Sequence, residues 1–495
     1  MRNDASIFTP RPKAARQRQA SLVDVTLDEA QRAAVERPRG DALLVLGEAG
    51  HGKTTVALHR LAHLWRAARD RRESIDAAVV VPNEGLARLL QPLLRKVGVD
   101  VEVRTYDRWA SLQARRVFRR LPKESELTPP GVLRLKRHPA LRGALVQVAS
   151  RSPSLIDDDR DAARGRRMEP VTRGDLQHLF GDRVLLEDVV RRGGLPARSL
   201  EETLERTRVQ FSLSAEQEWS HVTDRARLVA VDRRALDDGT ASANANTIDV
   251  EDYAVLFEIA AMRSARAVAP RRGYDVLVLD EAQELAPLEL ALLGRTLRPG
   301  GSLVVAGDAH QQTDDTAAFP GWPEAMRELG RPGYDEVTLD IGYRCAPAVV
   351  ELARAVLHEK GPAPRPFGDL RALGEWLASG VRSLSRRDRL ASIAVLCRSP
   401  MFARQLTAEL HRRELPARLV FDGRFLPRGL AVTLVDQVKG LEFDFVVVPD
   451  AGAATYPDDA ISRRTLYVAI TRARHEVALA CVGEASPILA TPRPS

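Results

Sequence analysis

Two rhythms alternate along this chain. Short unbroken runs of Val, Leu, Ile and Ala stand between longer stretches in which apolar residues recur every three or four positions. The runs read as strands buried on both faces and the stretches as helices laid over them, the pattern of parallel α/β sheets. The first runs fall at 42–46, 77–81 and 99–105, the last leading into Tyr106-Asp107. They resume at 274–280 and 302–308. After a Pro/Gly-containing bridge (320–333), a second set follows at 337–339, 393–396, 431–435, 445–448 and 477–480. Thr26-Leu27-Asp28-Glu29-Ala30-Gln31 reads as a helix start, with Thr26 as cap and acids in the first turn.

The rhythm breaks between about Leu112 and Asn246. There the β-branched runs vanish and amphipathic patterns such as residues 184–190 take over. The spacing predicts a first α/β domain in two parts (26–111 and 247–335) around a helical insertion (112–246). A second α/β domain (336–495) is expected to hold no large insertion, and residues 1–25 form a disordered basic tail.

Composition refines this picture. At 495 residues and 44% hydrophobic, the chain can bury two to four cores. The net charge of +7 permits a polyanionic partner without demanding one. In the 112–246 stretch, 25 Lys+Arg face 20 Asp+Glu, which fits either a polyanion-facing arm or a solvated helical face. Three scattered cysteines, Cys345, Cys397 and Cys481, lack metal-ligand spacing and suggest buried free thiols in a reducing compartment. No stretch approaches the ~18 apolar residues of a membrane span, and the Arg-rich first twenty residues lack the apolar core of a secretory signal. A cytoplasmic protein is expected.

The candidate chemistry starts at Gly47-Glu48-Ala49-Gly50-His51-Gly52-Lys53-Thr54-Thr55, a G-x-x-x-x-G-K-[ST] loop between a buried strand and a helix. Its glycines let backbone N–H groups surround phosphate oxygens at a helix N-terminus. Lys53 would reach the β- and γ-phosphates of ATP, and Thr54 would hold Mg²⁺. Glu48 is odd in such a loop and is expected to point outward. At the end of the strand over 274–280, Asp280 would hold Mg²⁺ and Glu281 would deprotonate the attacking water.

Asp280-Glu281-Ala282-Gln283 resembles motif II of superfamily 1 helicases of the UvrD/Rep type, and further motifs follow in order. Leu27-Asp28-Glu29-Ala30-Gln31 resembles the Q motif, which implies that Gln31 reads adenine. Gly307-Asp308-Ala309-His310-Gln311 resembles motif III, with Gln311 sensing the γ-phosphate. Gly342-Tyr343-Arg344 resembles motif IV, with Tyr343 stacked on the base and Arg344 on the γ-phosphate. Residues 438–444 resemble motif V, with Glu442 toward the sugar, and residues 466–473 motif VI, with Arg472 as arginine finger. The resemblance implies two RecA-like P-loop domains, parallel sheets flanked by helices, with the finger supplied from the second lobe.

Three departures stand out. Gln312-Thr313-Asp314-Asp315-Thr316-Ala317 replaces the aromatic and basic residues that follow motif III in this family and engage single-stranded DNA. Phe319 and Trp322 lie close enough to substitute, or belong to the core. Motif Ia reads Val81-Pro82-Asn83, without its usual aromatic, and the interval from Arg344 to Lys439 is too short for the large accessory domain of UvrD-type enzymes. The wording 50–60, Pro82-Asn83 and 252–256 is similar to the helicase IV and HelD group, whose HelD members remodel RNA polymerase. The resemblance therefore implies an ATP-dependent translocase on single-stranded DNA, 3′ to 5′. The alternative is an ATPase that remodels RNA polymerase, a repair protein or another complex.

Overall fold

The computed structural model describes residues 26–118, 120–151, 171–212, 244–263, 273–343, 345–425 and 428–490. The expected basic tail and Arg344 lie outside them. The strands in chain order are β1 (Ala42–Gly47), β2 (Ala77–Val81), β3 (Val103–Thr105), the short β4 (Lys123–Glu124) and β5 (Thr247–Ile248), β6 (Tyr274–Leu279), β7 (Leu297–Gly307) and β8 (Asp335–Leu339). Then come β9 (Arg365–Phe367), β10 (Ser392–Cys397), β11 (Ala417–Leu419), β12 (Gly429–Leu434), β13 (Phe443–Val448) and β14 (Ala473–Val482). Twelve of them build two six-stranded sheets, ordered β3-β2-β6-β7-β1-β8 and β11-β12-β10-β13-β14-β9, and β4 and β5 pair with each other. Every pairing is parallel. The chain is thus a two-lobed α/β protein with parallel sheets flanked by helices.

Alternation along β1 sends Leu43 and Val45 to one face of the first sheet and Ala42 and Leu44 to the other. The first face packs against α2 (Lys53–Asp70) and α3 (Glu84–Lys96), which follow α1 (Glu29–Val35) in the chain. The second face belongs to a larger core that includes Trp109 of α4 (Tyr106–Val117), Phe180 and Phe257. The helices over 130–210 therefore share a hydrophobic core with the first lobe. A buried ionic cluster pins them there. Lys136 donates to Asp249 at 2.9 Å and pairs with Asp252 at 2.6 Å, and Arg206 meets Asp249 at 2.7 Å.

Two boundaries need correction. Residues 337–339 were expected to open the second domain at Glu336, but β8 pairs with β1 along 335–339 and closes the edge of the first sheet. The run is short and flanked by turns, so its partner strand is not readable from pattern. The division between lobes therefore falls after Leu339. At the other boundary, α4 continues to Val117, so the helical insertion begins beyond residue 112. The strand expected over 99–105 shortens to β3, because Val99 and Val101 fill the core from a loop. Among the described residues, no helix is long and apolar enough to cross a membrane.

Candidate active site

β1 lies between β7 and β8, and its C-terminal end delivers the glycine loop to the sheet's carboxyl edge, where ligands collect in such folds. Gly52 is the left-handed N-cap of α2, at φ +89°. A Cβ there would sit 2.7 Å from Gln31 Nε2, so the position needs glycine both for its conformation and for space. Gln31 itself is buried. Asp28 caps α1 by accepting from the Gln31 N–H at 2.8 Å, and Gln31 Nε2 donates to the His51 carbonyl at 3.3 Å. The Q-motif helix is in this way fastened to the glycine loop.

Lys53 folds back inside the loop and donates to the carbonyls of Gly47 (2.7 Å) and Glu48 (3.0 Å). The Thr54 hydroxyl donates to Asp280 Oδ2 at 2.7 Å, which brings the two expected metal-holding oxygens together. Burial, and then the neighbouring Glu281, push the Asp280 carboxyl up to about 7. Thr55 is buried beneath the loop.

Glu281 occupies left-handed backbone space, at φ +55° and ψ +42°. A non-glycine residue held there is strained by about 1–3 kcal/mol, and such strain gathers at working sites. Gln283 explains how the carboxylate is aimed. Its Nε2 donates to Glu281 Oε2 at 2.7 Å, while its Oε1 accepts from the Asp308 N–H at 3.2 Å. Gln283 therefore ties the end of β6 to the end of β7.

The second lobe closes over this edge. Arg472, almost wholly buried, donates to Gln311 Oε1 at 2.7 Å and to the carbonyl of Val468 at 3.1 Å. Gln311 Nε2 in turn donates to Asp308 Oδ2 at 2.9 Å. The Ala49 N–H points to the Tyr467 hydroxyl at 3.5 Å, and the Tyr343 N–H donates to the Gly50 carbonyl at 3.1 Å. Glu48 does turn outward: it accepts from Arg354 of the helix Pro347–His358 at 2.9 Å, bridging the lobes.

Two expected nucleotide contacts have other company. The exposed Tyr343 ring donates its hydroxyl to Asp28 at 2.7 Å, so Tyr343, Asp28 and Gln31 stand together beside the glycine loop. Glu442 pairs with Arg474 at 2.5 Å. Arg344 falls outside the described residues and has no placement.

Behind motif III, the loop that departs from the family pattern is held by the insertion. Arg137 is largely buried in the helix Pro130–Arg137. It makes a two-pronged pair with Glu289 (3.0 and 3.1 Å) and donates to Thr316 (2.8 Å) and the Glu284 carbonyl (2.8 Å). It also pairs with Asp314, while Arg134 pairs with Asp315. Phe319 and Trp322 meet edge to face at 4.8 Å and pack against the first lobe's core.

Sequence patterns named no role for Gln283, Asp308, Tyr467, Arg354 or Arg137. The first three lie inside quoted motifs, where position alone could have flagged them. Arg354 and Arg137 carry no such signal, being arginines on amphipathic helices.

No curated protein matches this chain. A solved structure, the C-terminal domain of a possible DNA helicase from Lactobacillus plantarum WCFS1, is 27% identical, covering 30% of this chain and 93% of that one, with a TM-score of 0.27. Residues 429–480, which run from β12 into β14 and include Lys439, Glu442, Tyr467 and Arg472, match the UvrD-like helicase C-terminal domain. Over those residues, the second lobe of this chain is similar to that domain of UvrD-like helicases.

Proposed function

We propose that this chain is an ATP-driven motor of the superfamily 1 helicase type, hydrolysing ATP between its two lobes. The observation that carries the reading is the contact of Arg472 with Gln311 at 2.7 Å, made across the lobes. On this reading Gly47 to Thr55 cradle the phosphates, Gln31 and Tyr343 take the base, and Glu442 faces the sugar. Glu281, aimed by Gln283, accepts the proton of the attacking water. Arg472 leaves Gln311 for the γ-phosphoryl oxygens, so hydrolysis depends on lobe closure.

The donor set beside Lys53 fits a magnesium ion. A hydroxyl and a carboxylate are hard oxygen donors, and a cation at Asp280 would restore a charge that burial now opposes. Held by Thr54 and Asp280, the ion would offset the charge that develops during phosphoryl transfer.

Single-stranded DNA translocation, 3′ to 5′, is the first use we assign to this energy. One observation favours the second reading, a motor that remodels a protein complex such as RNA polymerase or a repair assembly. The cleft flanked by Asn83, Thr313 and Lys439 carries more carboxylates than cationic side chains. Steady-state ATP turnover with and without oligo(dT), at fixed salt and beside Lys53→Ala, tests the proposal. Turnover lost in Lys53→Ala supports the ATPase, and retained turnover with unchanged melting would refute the site. Stimulation of tenfold or more by oligo(dT) supports the first use, and turnover indifferent to DNA supports the second.

A further inference from the structure

The space between the lobes, on the far side of motif II from the glycine loop, is a cleft of about 770 Å³. Its walls are the starts of α3 and α4, the helices Pro130–Arg137 and Pro287–Gly294, the loop 313–316, and residues 421–422 and 436–439 of the second lobe. Eleven carboxylate side chains and three cationic ones line it. Those cations are already engaged. Arg137 serves Glu289 and Asp314, Lys439 serves Glu284 (3.0 Å) and Asp436 (3.6 Å), and Arg108 faces Glu84 at 3.3 Å.

Of the other acids, Asp280 and Glu281 belong to the candidate ATP site, Asp315 pairs with Arg134 and Asp422 with Arg424, which leaves Asp107 and Glu251 without an ion pair among the described residues. Asp107 is exposed, yet desolvation by the atoms crowded around it, and then Glu289, push its carboxyl up to about 6. Glu251 accepts from the Thr128 hydroxyl at 3.3 Å, and burial pushes it up to about 8. A second, separate feature points the same way. Tyr106 is 6% exposed, and its hydroxyl has no hydrogen-bond partner. Tyr106 lines the cleft together with Asp107, Arg137, Glu251 and Glu289. A buried polar group left unmet costs about 1–3 kcal/mol, a cost that a ligand group seated at this position would relieve.

We propose that this cleft receives a lysine- and arginine-rich polypeptide segment of a partner protein, seated against Asp107, Glu251 and the hydroxyl of Tyr106. The inference rests on the second reading above and names the chemistry of the partner. A guanidinium supplies the positive charge that these carboxyls lack and an N–H for the phenol to accept. The volume suits a short run of side chains rather than one ion. A phosphodiester strand would instead bring negative charge against these carboxylates, which is repulsive. The whole chain carries +7, so general attraction favours polyanions, and capture of a polycation would report this cleft specifically.

The test is fluorescence anisotropy of an end-blocked peptide of alternating arginine and alanine, titrated with the full chain near 0.1 M salt. The peptide is expected to bind. Asp107→Asn combined with Glu251→Gln weakens it tenfold or more, and Tyr106→Phe, which preserves shape, weakens it severalfold. Thermal melting of each variant establishes that it is folded. Lys53→Ala retains the peptide, so failure of the ATPase reading and failure of this one are seen separately. No binding by the unmodified chain, equal binding by the variants, or displacement of the peptide by oligo(dT) would each overturn the proposal.

Discussion

Replacing Arg137 by methionine tests whether the insertion holds the motif III loop. The guanidinium makes a two-pronged bond to Glu289, a bond to Thr316 Oγ1, one to the Glu284 carbonyl and an ion pair with Asp314. The Glu289 side chain is only 5% exposed, whereas Asp314 is 33% exposed. The loss is therefore concentrated on Glu289, which keeps only the Ala286 N–H at 2.9 Å. Stranding a buried charge costs about 3–5 kcal/mol, and the exposed half of the Asp314 pair adds little. For a lobe of this size that is roughly a 6–20 °C fall in the apparent midpoint of its thermal transition. The double variant with Glu289→Gln removes the stranded charge and is expected to recover about half of the loss. The assay is differential scanning calorimetry of the single and double variants. A single-variant shift below about 2 °C, or a double variant no better than the single, would refute the reasoning.

Three further outcomes are expected. Gln283→Ala removes a hydrogen bond to a charged carboxylate worth about 1.5–3 kcal/mol, so kcat should fall roughly ten- to a hundredfold with KM little changed; a change confined to KM would mean that Gln283 does not aim Glu281. Arg472→Lys keeps a charge but loses the planar fork, and kcat should fall by about 10³ if the residue acts as a finger, as read in single-turnover hydrolysis. Glu251 has a folded pKa above its ordinary value, so the folded state holds its proton longer than the unfolded chain does, and stability is lost as pH rises from about 4.5 toward 8. Glu251→Gln should therefore gain on the unmodified protein by roughly 1 kcal/mol per pH unit across that window, and a difference in urea midpoint that stays flat with pH would contradict it.

What was legible in the sequence follows physical rules. Strands buried on both faces, such as β2 and the 445–448 stretch of β13, write themselves as uninterrupted apolar runs, and the loop Gly47–Thr55 and Asp280-Glu281 announce themselves by spacing. Edge strands do not. β9 and β11 contact one neighbour each and need no apolar run, so Arg365–Phe367 and Ala417–Leu419 read as loop. β8 fooled the pattern differently, because a three-residue apolar signal cannot say which sheet it joins. Pairings between lobes were beyond reach. Glu48 with Arg354, and Arg472 with Gln311, are separated by hundreds of residues and meet only through the docking of two finished sheets.

The segment after Gln311 is where pattern and structure part most instructively. Read by residue type, Asp314 and Asp315 look like two acids added where a strand should be gripped. In the fold each has an arginine from one helix of the insertion, Arg137 and Arg134 respectively. Gln311 and Asp314 are three residues apart, and Thr313 and Asp314 also donate their N–H groups to Glu284. So short a tether cannot absorb a movement of Gln311 by slack alone. Any displacement that draws Gln311 away from Arg472 must either break the Glu284 contacts or pull on Arg137. Arg137 shares a helix with Lys136, which is locked to Asp249 and Asp252 in the core. The last two residues of the helix Pro130–Arg137 are thus gripped from two sides, Arg137 by the motif III loop and Lys136 by the base of the insertion. On the proposed reading, a change in the phosphate site would be delivered to the helical layer and the acidic cleft beside it rather than to an aromatic row along a strand.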